Sequence, residues 1–94
     1  MEREQAEQIA IEALAFVSAD SALLPRFLAL TGISGSEIRR AAAEPGFLAG
    51  VLQFVAAHEP TLLAFASAAN TRPEIVLEAL RALPTGADDY DRST

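Results

Sequence analysis

The side chains that support chemistry in small enzymes are few in this 94-residue chain, which contains one histidine, His58, and no cysteine. Glu59 follows His58 directly, and consecutive residues of a helix point about 100° apart, so the pair does not chelate a metal ion from one face. The chain then continues as Pro60-Thr61-Leu62, without a second histidine at metal-binding spacing. We interpret His58 and Glu59 as residues of a turn between two helices, where each charge suits the nearer helix dipole.

Catalysis by serine or by paired carboxylates has no framework in the sequence either. Ser21, Ser34 and Ser36 stand where helices are expected to begin, and none lies in a G-x-S-x-G nucleophile elbow. The acidic residues are scattered, whereas carboxylate catalysis needs two of them converging in one cleft. Gly32 and Gly35 form a turn signal without the G-K-[ST] of a phosphate-binding loop. We therefore predict that the protein is not an enzyme and that it holds no metal ion or cofactor.

Composition and charge limit the classes of molecule that are expected to bind this protein. The net charge is −6, and neither nucleic acid nor an anionic membrane is an expected partner, because both require a cationic face. The most apolar region, Phe47–Ala69, is divided by Gln53 and by His58-Glu59-Pro60 into pieces too short to span a bilayer. The acidic start, Met1 to Gln5, differs from a secretory signal, and the lack of cysteine favours a reducing compartment. We expect a small soluble protein of the cytoplasm.

The elements that must position any functional side chain are helices. Apolar residues recur at steps of three and four, and the first such helix is predicted to span Glu2 to Ala19. Prolines at helix starts and Gly or Asn at helix ends mark the others. The second helix is predicted to have a cap at Asp20-Ser21, Pro25 in its first turn and Gly32 at its end. A Ser34-x-x-Glu37 capping box is predicted to open a third helix, Ser36–Ala43. The fourth, fifth and sixth helices are predicted to start at Pro45, Pro60 and Pro73, and Asn70 is predicted to end the fifth.

This pattern of helix starts and ends predicts an all-α fold, a compact irregular bundle of five or six short helices that forms one domain over residues 1–83. The fourth and fifth helices are expected to form a buried central hairpin. Residues 84–94 are acidic and rich in turn formers, which predicts a disordered tail. The predicted core consists of Ile9, Leu14, Val17, Leu24, Phe27, Leu28, Ile38, Phe47, Leu48, Val51, Leu52, Val55, Leu62, Phe65, Ile75, Val76 and Leu80.

Four segments resemble a known family. They are Arg26–Gly32, Phe47–Leu52, Ala57-His58-Glu59 and Pro73-Glu74. Together they are similar to a family of small alphaproteobacterial proteins called domain of unknown function 3572, and the likeness extends over most of the chain, from Ala6 to Leu83. The resemblance implies a compact helical fold and a bacterial cytoplasmic setting. It implies no activity, because none is established for the family.

The basic residues supply the leading functional hypothesis. Arg26, Arg39 and Arg40 lie on two consecutive predicted helices and are expected to form a basic patch on an otherwise acidic protein. Arginine pairs bidentately with carboxylates and is enriched at interfaces. We therefore predict a non-catalytic protein–protein interaction or adaptor domain with a protein partner. The alternative at these positions is that the arginines are solvated and pair with Glu37 or Glu44.

Two further possibilities stay open. Residues 24–43 have the outline of a DNA-binding helix-turn-helix, in which Arg39-Arg40 contact phosphate or guanine, although Ala41-Ala42-Ala43 offers nothing to a base edge. The first helix carries Ile9, Phe16 and Val17, and an exposed apolar strip there would favour a weak homodimer. If these three residues complete the core instead, the protein is a monomer.

Overall fold

The computed structural model describes residues 1–44 and 46–84, and within these ranges the chain is helical and contains no strand. The elements in chain order are α1 (Arg3–Ala19), α2 (Leu23–Thr31), a 3₁₀ helix (Gly35–Glu37), α3 (Ile38–Ala41), α4 (Phe47–Ala56), α5 (Glu59–Ala68) and α6 (Pro73–Ala82). The predicted all-α fold is confirmed. Of the tail predicted for residues 84–94, all but Pro84 lies outside the described residues.

Most helix boundaries follow the predicted markers. The Asp20 carboxylate accepts the backbone N–H groups of Ala22 and Leu23, at 2.8 and 2.9 Å, and so caps the start of α2. Gly32 ends α2 with a left-handed backbone, φ 74°. Asn70 also has a positive φ, 55°. It ends α5 in a Schellman motif, in which the N–H of Thr71 reaches the carbonyl of Ala66 at 2.8 Å.

The third helix is shorter than predicted. Its capping box forms, and within it the backbone N–H of Ser34 donates to the Glu37 carboxylate at 3.2 Å. The Ser34 hydroxyl also donates to the same carboxylate oxygen, at 2.8 Å. These two hydrogen bonds, the side-chain one first, lower the pKa of Glu37. The box opens a 3₁₀ turn, however, and α3 keeps only Ile38–Ala41 because the carbonyls of Arg40 and Ala41 are taken by tighter, three-residue bonds. The predicted span Ser36–Ala43 is therefore wrong.

The start of α4 also differs from the prediction. The helix begins at Phe47, with Gly46 in a left-handed conformation at φ 87° as its N-cap, rather than at Pro45. Only glycine adopts this conformation without strain. Pro45 itself lies outside the described residues.

The core lies where α1, α4 and α6 meet, and the face that α1 contributes is mostly alanine. Ala6, Ala10, Ala13 and Val17 are fully buried, which lets α4 and α6 approach the α1 backbone closely. The predicted core residues that are buried are Val17, Phe27, Phe47, Val51, Leu52, Val55, Leu62, Phe65 and Val76. The others are half-buried: Ile9, Leu14, Leu24, Leu28, Ile38, Leu48, Ile75 and Leu80. The predicted core did not include the buried alanines of α1, nor four other buried residues: Ala49, Ala66, Ala79 and Leu83.

The alanine face makes a testable prediction. Ala13→Leu is expected to lower the free energy of unfolding by about 1–3 kcal/mol, because a larger side chain forces the packed helices apart. Ala15→Leu is the matched control on the same helix, and its exposed position should keep the change within about 0.5 kcal/mol. Equilibrium denaturation followed by circular dichroism measures both. Equal effects of the two changes would mean that α1 does not pack through its alanines.

The predicted hairpin of α4 and α5 is wrong in geometry. The α4 helix is central, but α5 leaves it at 110°, so the pair makes a corner rather than folding back antiparallel. Leu63 on α5 is 50% exposed. Within the two described ranges no single helix is both long and apolar enough to cross a bilayer; α1 with α2, and α4 with α5, reach that threshold only when each bent pair is taken together.

Candidate binding groove along α4

A groove runs between α2 and α4 on the surface of the described structure. It consists of two neighbouring depressions, about 300 and about 390 Å³ in volume, which share Thr31 and Gly50. Residues of α4 that recur at helical spacing line one wall, while Ala49, Val51, Leu52 and Val55 of the same helix are buried. The α4 segment along the groove contributes Gly46, Phe47, Gly50, Gln53, Phe54 and Ala57. We call this feature the α2–α4 groove.

Three phenylalanines make its floor rigid. Phe27 of α2 is 1% exposed, and its ring stands nearly perpendicular to those of Phe47 and Phe54, with centroids 6.1 and 5.4 Å away. Edge-to-face packing of this kind favours these ring positions by about 0.5–1.5 kcal/mol per pair. Next to it, the Thr31 hydroxyl donates to the carbonyl of Phe27 at 2.8 Å, which holds Thr31 in place between the depressions.

Gly50 keeps the middle of the groove open. It lies inside α4 and is exposed, and a Cβ added there would meet no atom within 4 Å. Close contact with another helix is therefore not its role. Glycine in a helix interior costs about 0.5–1 kcal/mol relative to alanine. Neither backbone conformation nor packing in the described structure requires glycine here, so its visible consequence is an unobstructed groove.

We expect Gly50→Ala to raise the free energy of unfolding by about 0.5–1 kcal/mol, because alanine is the better helix former and its methyl group meets open space. Gly32→Ala is the matched control and should destabilise the protein, because Gly32 has a φ of 74°. Chemical denaturation of both variants shows whether each change raises or lowers the free energy of unfolding. A clear loss of stability in Gly50→Ala would show that the helix interior there is packed, not open.

The two ends of the groove carry opposite charge. Arg26 and His58 line the first depression, which has no carboxylate among its lining residues, and Glu44 lines the second. Over residues 1–44 and 46–84 the one ion pair joins Arg3 to Glu7 at 3.3 Å. Arg26 is exposed and therefore presents its guanidinium to whatever enters the groove.

His58 and Thr61 hydrogen-bond side chain to side chain at 2.8 Å, imidazole Nδ1 to hydroxyl. A hydroxyl this close to an imidazole has the spacing of a nucleophile and its base. His58 is, however, the N-cap residue of α5 and Thr61 stands three residues later, so the contact closes the first turn of the helix. Thr61 is 7% exposed. The arrangement therefore serves the fold and holds the imidazole at the groove.

Of the three predicted arginines, one lines the groove. Arg26 lines the groove, whereas Arg39 and Arg40 are exposed on α3 and are not among its lining residues. The alternative pairing of these arginines with Glu37 or Glu44 is not seen in the described ranges. At four residues, α3 is also short for a DNA-reading helix, which presents three or four side chains to base edges. Among the three candidates, Arg26 is therefore the one that the structure places at the groove.

Sequence reasoning missed the rest of the groove, above all Leu30, which is 72% exposed. The available signal was that α2 has more large apolar residues than one helix face can bury. Of the strip proposed for a homodimer, Val17 is buried, whereas Ile9 and Phe16 are half-buried and pack against the core, with the Phe16 ring 5.5 Å from that of Phe65. Among the described residues no group of three His, Cys, Asp or Glu side chains is placed to hold a metal ion.

Comparison with known proteins places the chain in a family. The model of the family described as "protein of unknown function (DUF3572)" matches residues 3–86, which includes all six α-helices. No curated protein and no solved structure matches the chain. The predicted resemblance is confirmed, and the chain belongs to the DUF3572 family.

Proposed function

We propose that this protein is a non-catalytic interaction domain that binds a partner protein in the α2–α4 groove. The observation that carries the proposal is an open groove with a rigid aromatic floor, flanked by Leu30 with 72% of its surface exposed. Covering apolar surface removes it from water, which is the dominant favourable contribution in most protein–protein association. A partner that covers Leu30 and fills both depressions would gain this energy without reorganising the groove.

The side chains of the groove support binding better than catalysis. Its lining is largely apolar, with Leu30, Phe54 and Phe47 along its length. Its two charged residues, Arg26 and Glu44, line different depressions, as expected for a surface that is anchored by apolar contact and oriented by charge. The His58–Thr61 contact is accounted for by the start of α5.

Affinity capture with surface variants tests the proposal. Leu30→Glu and Arg26→Glu alter the groove, and Leu63→Glu and Arg72→Glu place the same changes at exposed positions outside it. We expect one partner protein to be captured by the wild type and by both control variants. With that partner purified, Leu30→Glu and Arg26→Glu should each weaken binding at least about tenfold, which is about 1.4 kcal/mol.

Circular dichroism and thermal unfolding of all four variants confirm that they are folded, since each change is at a surface position. Equal binding by groove variants and controls would contradict the proposal, because the partner would then contact a different face. Loss of binding in the Leu63→Glu control alone would point to α5 and would equally contradict it.

A further inference from the structure

Building on the proposed function, we propose that the segment bound in the α2–α4 groove is an amphipathic helix of about three turns, which places an acidic residue beside Arg26 and a basic residue beside Glu44. The length comes from α4, whose lining residues run from Gly46 to Ala57. At 1.5 Å per residue this stretch is about 16 Å long. A helix of the same length spans about eleven residues.

The shape of the groove favours a helix over an extended strand. Both of its walls are helices, and the described residues contain no strand whose edge an extended peptide could extend. The two depressions lie one after the other along α4 and meet at Gly50 and Thr31. Helix-in-groove recognition uses large apolar anchors one and two turns apart, so the depressions accept successive anchors while Gly50 leaves room between them.

The charges give the helix a direction. Arg26 lies toward the α5 end of the groove and Glu44 toward the start of α4. Helices commonly carry acidic residues in their first turn and basic residues in their last. Such a helix fits with its N-terminus beside Arg26 and therefore runs antiparallel to α4. The opposite orientation sets like charges against each other at both ends, and this penalty selects against it.

Selection from a displayed peptide library tests this inference with defined probes. The library encodes helical peptides of about 14 residues, long enough to overhang three turns, and is panned on the full chain after depletion on Gly50→Gln, whose side chain fills the groove. The sequences that survive should share large apolar residues one and two turns apart, with Asp or Glu before them and Lys or Arg after them. On binding, the best peptide should gain helical circular dichroism.

Charge reversal then tests the direction. Arg26→Glu should weaken the best peptide at least about tenfold, and the same peptide with its acidic residue changed to Lys should recover most of that loss. Selected peptides that depend on Gly50 but show no charge preference, a reversed one, or no helix would overturn this inference and leave the proposed function standing. A library that yields no Gly50-dependent binder would count against the proposed function as well.

Two other occupants are distinguishable in the same preparation. Sedimentation of the wild type as a dimer that Gly50→Gln dissociates would assign the groove to a second copy of the chain and overturn the inference. If a chain that ends at Pro84 binds the best peptide at least about tenfold more tightly than the full chain does, the acidic segment 85–94 of the chain itself occupies the groove. That result would also overturn the inference. A monomer with unchanged affinity in the shortened chain is the result we expect.

Discussion

Phe27→Ala is expected to lower the free energy of unfolding by about 3–5 kcal/mol, because it removes a buried ring and leaves a cavity between α2 and α4. Phe27 is 1% exposed and packs edge-on against Phe47 and Phe54, so both rings lose a packing partner when it is removed. Equilibrium denaturation measures the loss. Leu30→Ala is the control on the same helix; with Leu30 72% exposed, its effect should stay within about 0.5 kcal/mol.

Leu52→Ala is expected to cost a similar amount, about 3–5 kcal/mol, through lost burial and an unfilled cavity. Leu52 is fully buried on α4, the helix that contacts α1, α5 and α6. Small domains are stable by about 5–15 kcal/mol in total, so this one change removes a large share of the margin and should lower the melting temperature markedly. Leu63→Ala, at a half-exposed leucine of α5, is the control.

The two changes report on different parts of the core. Phe27 packs α2 against α4 at the groove floor, whereas Leu52 is a fully buried residue of α4, which contacts α1, α5 and α6. A loss of less than about 1 kcal/mol at both positions would mean that the core lies elsewhere, because truncating a buried side chain of this size has a larger cost. A small loss at Phe27 alone would show that α2 is only loosely attached.

Local signals explain why the helices themselves were predictable. A carboxylate at Asp20, a glycine at Gly32 and an asparagine at Asn70 each satisfy or end a helix through contacts within a few residues. Apolar spacing identified the buried side of α4 for the same reason. Such features depend only on residues that are close in sequence, so they can be predicted from the sequence alone.

Features that depend on distant parts of the chain were not predictable. The alanines Ala6, Ala10 and Ala13 are core residues only because α4 and α6 come close to α1, and a size-based interpretation ranks them below leucine. The 110° turn between α4 and α5 likewise was not predictable from the sequence. Short connections alone are compatible with a hairpin or a corner.

The candidate site shows the same division. Arg26 was a binding candidate because it is an arginine, but the amino-acid sequence did not distinguish it from Arg39 and Arg40. Gly50 was the most ambiguous residue, because a glycine in an apolar helix is compatible with close packing and with an open surface. Only the positions of α2 and α4 show that the space above Gly50 is empty.

The most direct test of the groove compares Gly50→Gln with Ala64→Gln in stability and in binding of the captured partner. Both positions are exposed and helical, and glutamine is a good helix former, so neither change should destabilise the fold. We predict that Gly50→Gln unfolds at the same or higher denaturant concentration than the wild type yet binds the partner at least about tenfold more weakly, while Ala64→Gln binds normally. Undiminished binding by a folded Gly50→Gln would contradict the assignment of the groove as the interaction site.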